Sequence, residues 1–369
     1  MKIIIAGSGE VGSHLAKLLS YESQEITLID SNDEKLSFPN SQLDIKVVQG
    51  DCTSISTLKK SNVSDCDLFV GVTASESVNL LTCFLASNLG AKKTIARISN
   101  PELIKEKDLQ FDSLGISELI SPEILTSKEI NMVINRSEFT DPFEFDDGAL
   151  ITLGLSATHT SKFVGKTVVE SAKIFPETHF FPISIKRGDK TIIPRGDTIF
   201  KNGDHIVFMT EPGGEEELLN ISGQNNDTIK NVMVLGGGRV GKKVAEDLAN
   251  DEINVKLVEI NKERAEELAE DLNECLIIHG DGTNSDLLEE EQVDQMDAFI
   301  AVTGDSETNI MSSLIANTKG IDKTIALVDN LDYYKLTQIS GIDTLINKKL
   351  LAADAISKHV HKAEVVAIS

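Results

Sequence analysis

The sequence predicts an α/β protein in which two doubly wound, parallel-sheet Rossmann units are joined by a small β-rich α+β domain. Three observations predict it. Two glycine-rich turns each follow an apolar run and open a helix-like segment. Further matches follow each turn in the same order. Between the two copies the pattern changes to short alternating strands. The first turn, Ile4-Ile5-Ala6-Gly7-Ser8-Gly9-Glu10-Val11-Gly12, is answered by Val234-Leu235-Gly236-Gly237-Gly238-Arg239-Val240-Gly241. Leu28-Ile29-Asp30 is answered by Leu257-Val258-Glu259, and Gly50-Asp51-Cys52-Thr53 by Gly280-Asp281-Gly282-Thr283. Val72-Thr73 with Asn79 returns as Val302-Thr303 with Asn309, and Thr94-Ile95-Ala96 as Thr324-Ile325-Ala326. After a short deletion, Gly115-Ile116 returns as Gly341-Ile342. A lone GxGxxG arises easily by chance; an ordered series of matches marks a duplicated domain.

Within the first copy, Lys2–Ala6, Ile26–Ile29, Lys46–Val48, Leu68–Val72 and Thr94–Ala96 are apolar runs of strand length, buried on both faces. Val11–Leu19, Ser54–Lys60 and Ser77–Leu89 lie between them as helices. Lys262–Leu272 and Thr308–Thr318 do the same in the second copy, with apolar residues at helical spacing. Such alternation requires right-handed crossovers and a parallel sheet. Pro122–Asn135 is amphipathic and brings Ile124, Leu125, Ile130, Val133 and Ile134 near one face. That stripe packs either on the sheet of its own unit or against another subunit.

From about Phe139 to Ile221, Ala149–Leu155, Phe180–Lys186, Thr191–Ile193 and His205–Met209 are strand-like. Turns at Arg187-Gly188-Asp189 and Asn202-Gly203-Asp204 punctuate them, and Thr167–Lys173 forms a short helix. A turn, a short acidic helix and a linker follow between Glu211 and Asp227. The chain thus divides into residues 1–138, 139–222 and 229–364. Ser369 is the second-copy counterpart of Phe143, so residues 365–369 would begin a second β-rich domain that is otherwise absent.

The 369 residues suffice for two or three domains, and 40% hydrophobic and 25% charged content is ordinary for a globular chain. A formal charge of −24 argues against nucleic acid as a partner, because that affinity rests on Lys and Arg. Cys52, Cys66, Cys83 and Cys275 form no CxxC pair and fit reduced, buried thiols of a cytoplasmic protein. The N-terminus has no signal-peptide layout, and no window reaches the roughly 18–20 apolar residues of a membrane span.

The chemistry sits at the glycine turns. The first glycine permits the tight turn, the second admits a pyrophosphate to the backbone, and the third lets helix pack on strand. Ser8, Glu10 and Val11, with Gly7, Gly9 and Gly12, place phosphates at a helix N-terminus. Gly236, Gly237, Gly238, Arg239, Val240 and Gly241 repeat the arrangement. Asp30 and Glu259 lie about 20 residues further on, where a carboxylate accepts from both ribose hydroxyls and repels a 2′-phosphate. NAD (NAD+ or NADH), or another adenosine nucleotide such as ATP or ADP, therefore fits and NADP does not.

Asp51 with Cys52, and Asp281, flank the adenine end; Asp51 alternatively caps the following helix. Thr73 with Ala74, and Thr303, end the fourth strand at the ligand edge of such folds. Arg97 ends the fifth strand within reach of a phosphate, or makes a surface ion pair. The copies differ in their cations: Arg239 replaces Glu10, and Leu327 replaces Arg97. The histidines show no triad or metal spacing; His359-x-His361 alternates between a metal pair and a solvated helix end. No catalytic constellation and no metal site are expected, and two classes stay open, a nucleotide-binding regulatory subunit and an NAD-dependent oxidoreductase.

Gly7–Gly12, Asp30, Gly50-Asp51, Thr73–Asn79 and Arg97 resemble the regulator-of-K+-conductance (RCK) family of prokaryotic potassium channels and transporters. Val164-Gly165-Lys166-Thr167, Ile192–Thr198 and Gly203-Asp204 are similar to that family's C-terminal ligand-binding subdomain. Tandem duplication in one chain is similar to the peripheral NAD-binding subunits of Trk-type potassium uptake. The resemblance implies nucleotide-controlled gating of a membrane potassium-translocating subunit (TrkH- or TrkG-like). It also implies assembly as a dimer or tetramer ring and a cytoplasmic location on the inner face of the membrane. The family pattern adds a second C-terminal subdomain beyond residue 369.

Overall fold

The computed structural model describes residues 1–22, 24–106, 109–145, 148–174, 179–223, 229–330, 333 and 341–368. In the first unit the order is β1 (Lys2–Ala6), α1 (Glu10–Ser20), β2 (Glu25–Asp30), α2 (Asp33–Gln42), β3 (Lys46–Gln49), α3 (Ile55–Lys60), β4 (Leu68–Gly71), α4 (Glu76–Asn88), β5 (Lys93–Arg97), α5 (Glu102–Lys105), β6 (Glu118–Ile120) and α6 (Pro122–Asn135). All pairings are parallel and the strand order is β3-β2-β1-β4-β5-β6, with a reversal beside β1. Ile3, Ile5, Leu28, Leu68 and Val70 fill one face of the sheet, while Ile4, Ile29 and Phe69 fill the other. The unbroken apolar runs reflect burial on both sides.

The middle domain comprises β7 (Thr140–Phe145), β8 (Leu150–Ser156), α7 (Val168–Ile174), β9 (Phe180–Arg187), β10 (Lys190–Ile192), β11 (His205–Thr210) and α8 (Gly214–Ser222). Its antiparallel sheet runs β10-β9-β11-β8-β7 over a core of Leu153, Phe163, Ile185, Ile206 and Phe208. A bidentate pair, Arg187 Nε and Nη2 to Asp204 at 2.6 and 2.7 Å, pins the Gly203-Asp204 turn. Burial opposes ionisation of Asp204, but the guanidinium and the Lys201 amide outweigh it and hold the carboxyl below its usual range.

The second unit repeats the first: β12 (Asn231–Leu235), α9 (Arg239–Asn250), β13 (Asn254–Glu259), α10 (Lys262–Asp271), β14 (Cys275–His279), α11 (Ser285–Glu290), β15 (Ala298–Ala301), α12 (Ser306–Thr318), β16 (Lys323–Leu327), β17 (Thr344–Ile346) and α13 (Lys348–Ile368). Its strand order, β14-β13-β12-β15-β16-β17, matches the first. Residues 365–368, where the sequence reading begins a further domain, continue α13. The inter-domain linker read between Ser222 and Asp227 falls mostly outside the described residues, which stop at 223 and resume at 229.

Several elements escape the sequence reading. In α2 a proline, Pro39, breaks the helical signature, although Asn32 caps the helix by accepting from the Glu34 amide. β6 and its counterpart β17 are three-residue edge strands, too short for a periodic signal. β7 carries Pro142, which an edge strand tolerates because no neighbour needs its missing N–H.

The largest correction concerns the Pro122–Asn135 stripe. It packs mainly on the second unit of the same chain. Ile130, Val133 and Ile134 enter the core of the second unit beside Val244, Leu248 and Ile300. Only Leu125 stays against the first core. The second unit reciprocates: Ala352, Ala353, Ile356 and Val360 of α13 pack on Leu15, Ala16 and Leu19 of α1. The two units thus exchange their last helices, with Ser127 Oγ and Asn131 Nδ2 both donating to Asp247 across the join. Ile130 is fully buried in the partner unit. Ile130→Ala, a change in the first unit, is expected to cost about 2–5 kcal/mol and to speed amide exchange in β12 and β15 of the second. Denaturant unfolding combined with exchange mass spectrometry checks this.

Candidate nucleotide-binding site

A cavity of about 960 Å³ opens where the carboxyl ends of β1, β2, β4 and β5 run into their loops, at the reversal of strand order. This is the ligand position in doubly wound sheets, and the size suits a small molecule. Gly7, Ser8, Gly9, Glu10 and Val11 line one wall. Asp30, Asp51, Cys52, Thr73, Ala74 and Arg97 complete most of the rest. The topology therefore brings together the site residues that the sequence predicts for the first unit, Gly12 excepted.

Gly12 has a packing role. A Cβ there would lie 1.8 Å from the Gly7 carbonyl oxygen, so the missing side chain is what seats α1 against the β1 turn. Gly7 turns the chain with φ +111°, in the region that favours glycine. At Gly9 a Cβ would meet nothing within 4 Å, leaving open space on the cavity wall. No side chain caps α1 there, so its first amides are available to an anion.

Asp30 has a structural role that the sequence does not reveal. Its carboxylate accepts from the Ser8 amide at 2.7 Å and the Asn32 amide at 2.8 Å, clamping the glycine turn to the end of β2. A carboxylate offers about four lone-pair sites, so two remain for ribose hydroxyls. Asp51 accepts from the Thr53 amide and hydroxyl, both at 2.8 Å. These bonds hold its carboxyl below the usual range. They form a turn ahead of α3 whose N-cap is Ser54, so the capping alternative for Asp51 gives way.

The Thr73 amide and hydroxyl donate to Asn79 Oδ1 at 2.8 and 2.7 Å. Asn79 Nδ2 donates onward to the carbonyl of Arg97, at 2.9 Å. Buried Asn79 thus braces the ends of β4 and β5, and Thr73 presents mainly backbone to the cavity. Burial pushes the Cys52 thiol up, so it stays neutral. The buried Nε of Arg97 has no hydrogen-bond partner among the described residues. The Arg97 side chain lines the cavity as a cation, with its Nε enclosed.

The second unit keeps the framework but changes the surroundings. Gly236 has φ +104°, and a Cβ on Gly241 would lie 1.8 Å from the Gly236 oxygen, as in the first unit. Glu259 clamps the Gly237 amide at 2.7 Å, Asp281 accepts from Thr283, and Asn309 braces Thr303. At Gly238 a Cβ would again meet nothing within 4 Å. Gly237, however, lies where a Cβ would come 2.3 Å from Leu268, and Arg264 Nε donates to the Gly237 carbonyl. Leu327 ends β16 where Arg97 ends β5. Val240 is buried at the start of α9. Arg239 acts on the first unit: its charge helps the Ser99 and Asn100 amides hold Glu76 below the usual range.

Sequence reasoning missed Ser13, Lys35 and Lys349 in the first cavity. Lys35 lies in α2, whose pattern Pro39 hides; its carbonyl accepts from Ser8 Oγ at 2.9 Å. Lys349 belongs to the second unit and reaches this cavity only through the helix exchange. The described histidine His359 sits 4.0 Å from Glu118, while the His361 side chain lies outside the described residues. No group of three potential metal ligands occurs among the described residues.

Comparison with known proteins matches the TrkA-N domain model to residues 3–122 and again to 232–348, and the TrkA-C domain model to 155–223. The chain is 34% identical over 368 residues to the Trk system potassium uptake protein TrkA of Haemophilus influenzae, covering 99% of this chain and 80% of that protein. It is 33% identical over 366 residues to TrkA homolog 2 of Methanosarcina mazei, with 97% and 80% covered. Among solved structures, the GsuK RCK domain aligns with TM-score 0.71 at 18% identity, covering 100% of this chain and 78% of that one. The GsuK channel bound to NAD aligns with TM-score 0.71 at 19% identity, covering 98% and 64%. At these identities the likeness is one of fold.

The glycines separate experimentally. Gly12→Ala is expected to destabilise the chain by about 1–3 kcal/mol or more through a backbone clash. Gly9→Ala should cost under about 1 kcal/mol, since its Cβ meets only open space. Thermal or denaturant unfolding of the two variants checks the contrast.

Proposed function

The chain belongs to the TrkA family, and from that premise we propose that it is the nucleotide-binding regulatory subunit of a Trk-type potassium-uptake system. It docks on a membrane potassium-translocating subunit and gates it in response to NAD(H) or adenine nucleotides. The observation that carries this reading is the first cavity: open backbone at Gly9, a carboxylate at Asp30 and the Arg97 guanidinium around one space of about 960 Å³. Each group matches one part of a dinucleotide, namely pyrophosphate, adenosine ribose and a further phosphate contact. The NAD-bound GsuK channel, which shares the fold, supports NAD as the occupant. ADP and ATP carry the same adenosine and phosphate groups.

A regulatory role needs binding energy that differs between two states of the transporter, and no chemistry on the ligand. A coupling of about 1–3 kcal/mol changes activity roughly 5- to 150-fold. In the described residues no helix is long and apolar enough to cross a membrane, so action on potassium flux requires a partner that does. The domain limits 1–138, 139–222 and 229–364 fit one regulatory module, its ligand-binding subdomain and a second module. Assembly into a homo-oligomeric ring on the cytoplasmic face belongs to the same proposal, carried by surfaces other than the α6 stripe.

Two measurements test the reading. NADPH should bind the first cavity roughly 10- to 100-fold more weakly than NADH, and Asp30→Ala should narrow that ratio while weakening NADH itself by a comparable factor. Equal affinity of the intact chain for both would refute the ribose role of Asp30. With the potassium-translocating subunit in liposomes, flux should depend on the combination of protein and nucleotide. Steady oxidation of NADH by a small carbonyl compound would instead support the oxidoreductase reading.

A further inference from the structure

Lys349 is a residue of the second unit, yet it lines the first unit's cavity. Its position is firmly built. Buried Asn347 accepts from the Lys349 and Leu350 amides at 2.9 and 3.0 Å and donates to the Asp329 carbonyl at 3.0 Å. The Lys349 side chain is only 23% exposed, and its ammonium lies between two carboxylates, ion-paired with Glu10 and 3.3 Å from Asp329. Glu10 is the first residue of α1, where the helix amides face the cavity. A phosphate arriving there meets like charge on Glu10 and opposite charge on Lys349. Glu10 is 67% exposed and can swing into solvent, whereas the Lys349 backbone is anchored and its side chain is mostly covered.

We infer that Lys349 is a phosphate ligand supplied by the second unit to the first unit's site, and that Glu10 is its resident stand-in anion, displaced when a nucleotide's phosphate chain binds. The inference rests on the first cavity being a nucleotide site, as proposed above, and adds how the bound ligand is felt elsewhere. A phosphate held by both the α1 amides and Lys349 bridges the two units, so occupancy tightens the contact between α1 and α13. Arg97, on the same cavity, faces the ligand as a second cation.

The second glycine turn has the opposite electrostatics. Arg239 stands at the position of Glu10, and the Ser121-Pro122-Glu123 register of α6 matches Asn347-Lys348-Lys349 of α13. An acid thus occupies the place of the donated lysine, and a cation the place of Glu10.

The test uses the full chain with its second turn blocked by Gly238→Val, titrated calorimetrically with ADP, ATP and NADH. Lys349→Gln should weaken ATP and ADP binding roughly 10- to 100-fold, the loss of a charge-assisted contact. Glu10→Gln breaks the same ion pair but removes the competing anion, so it should tighten binding roughly 3- to 10-fold. A merely structural pair would move both variants the same way, so parallel losses, or no change in either, overturn the inference. Gly9→Val serves as the control for the site itself. If nucleotide affinity is unaffected by that change, the cavity is not the nucleotide site and the reading beneath this inference falls first; if Gly9→Val abolishes binding while Lys349→Gln does not weaken it, only the role of Lys349 falls.

Discussion

Neither Rossmann core closes without the other. The apolar face of α6 is buried among Val244, Leu248 and Ile300 of the second unit, and that of α13 among Leu15, Ala16 and Leu19 of the first. Burial of large apolar side chains is the dominant favourable term in folding, so this exchange fixes the relative placement of the units. The position of Lys349 against Glu10, and of Arg239 near Glu76, follows from it. The cavity is assembled from one unit's strands and the other unit's helix, and its electrostatics belong to the pair.

Duplication has preserved the mechanical parts and varied the chemical ones. Gly7 and Gly12 against Gly236 and Gly241, Asp30 against Glu259, and Asn79 against Asn309 keep nearly identical geometry in both units. Each does structural work: a close approach, a clamp on the turn, a brace across two strand ends. The residues facing the ligand space differ, with Arg97 against Leu327, Ser8 against a Gly237 crowded by Leu268, and Cys52 against Gly282, whose vacated side-chain space is filled by Leu235. Side chains that hold the fold are constrained by contacts a fraction of an ångström wide; those facing solvent or ligand are not.

Much of this was legible in the sequence because it is local. Strand runs buried on both faces, glycine turns and the acid about 20 residues on are each written in one short stretch, and Pro122–Asn135 was bounded correctly from its pattern alone. The destination of that helix was not legible, since an amphipathic face shows that a helix is covered and never by what. Lys349 was invisible for the same reason: its role depends on a contact between residues far apart in the chain. The clamp made by Asp30 was hidden because the proposed ribose contact calls for the same carboxylate at the same spacing. Thr73 lines the cavity, but its hydroxyl is spent on Asn79.

The helix exchange has one more consequence. Two separate copies related by a two-fold axis must make every contact twice, residue i on j and j on i, so a Glu suited to one site is imposed on its mate. Placing both copies on one polypeptide removes that symmetry requirement while keeping the shared architecture. Glu10 facing Lys349 on one side, with Arg239 and Glu123 at the matching positions on the other, is a pattern that two identical partners could not carry. The fused chain is free to be electrically polar across its own pseudo-axis, with two unlike glycine turns built on one shared frame.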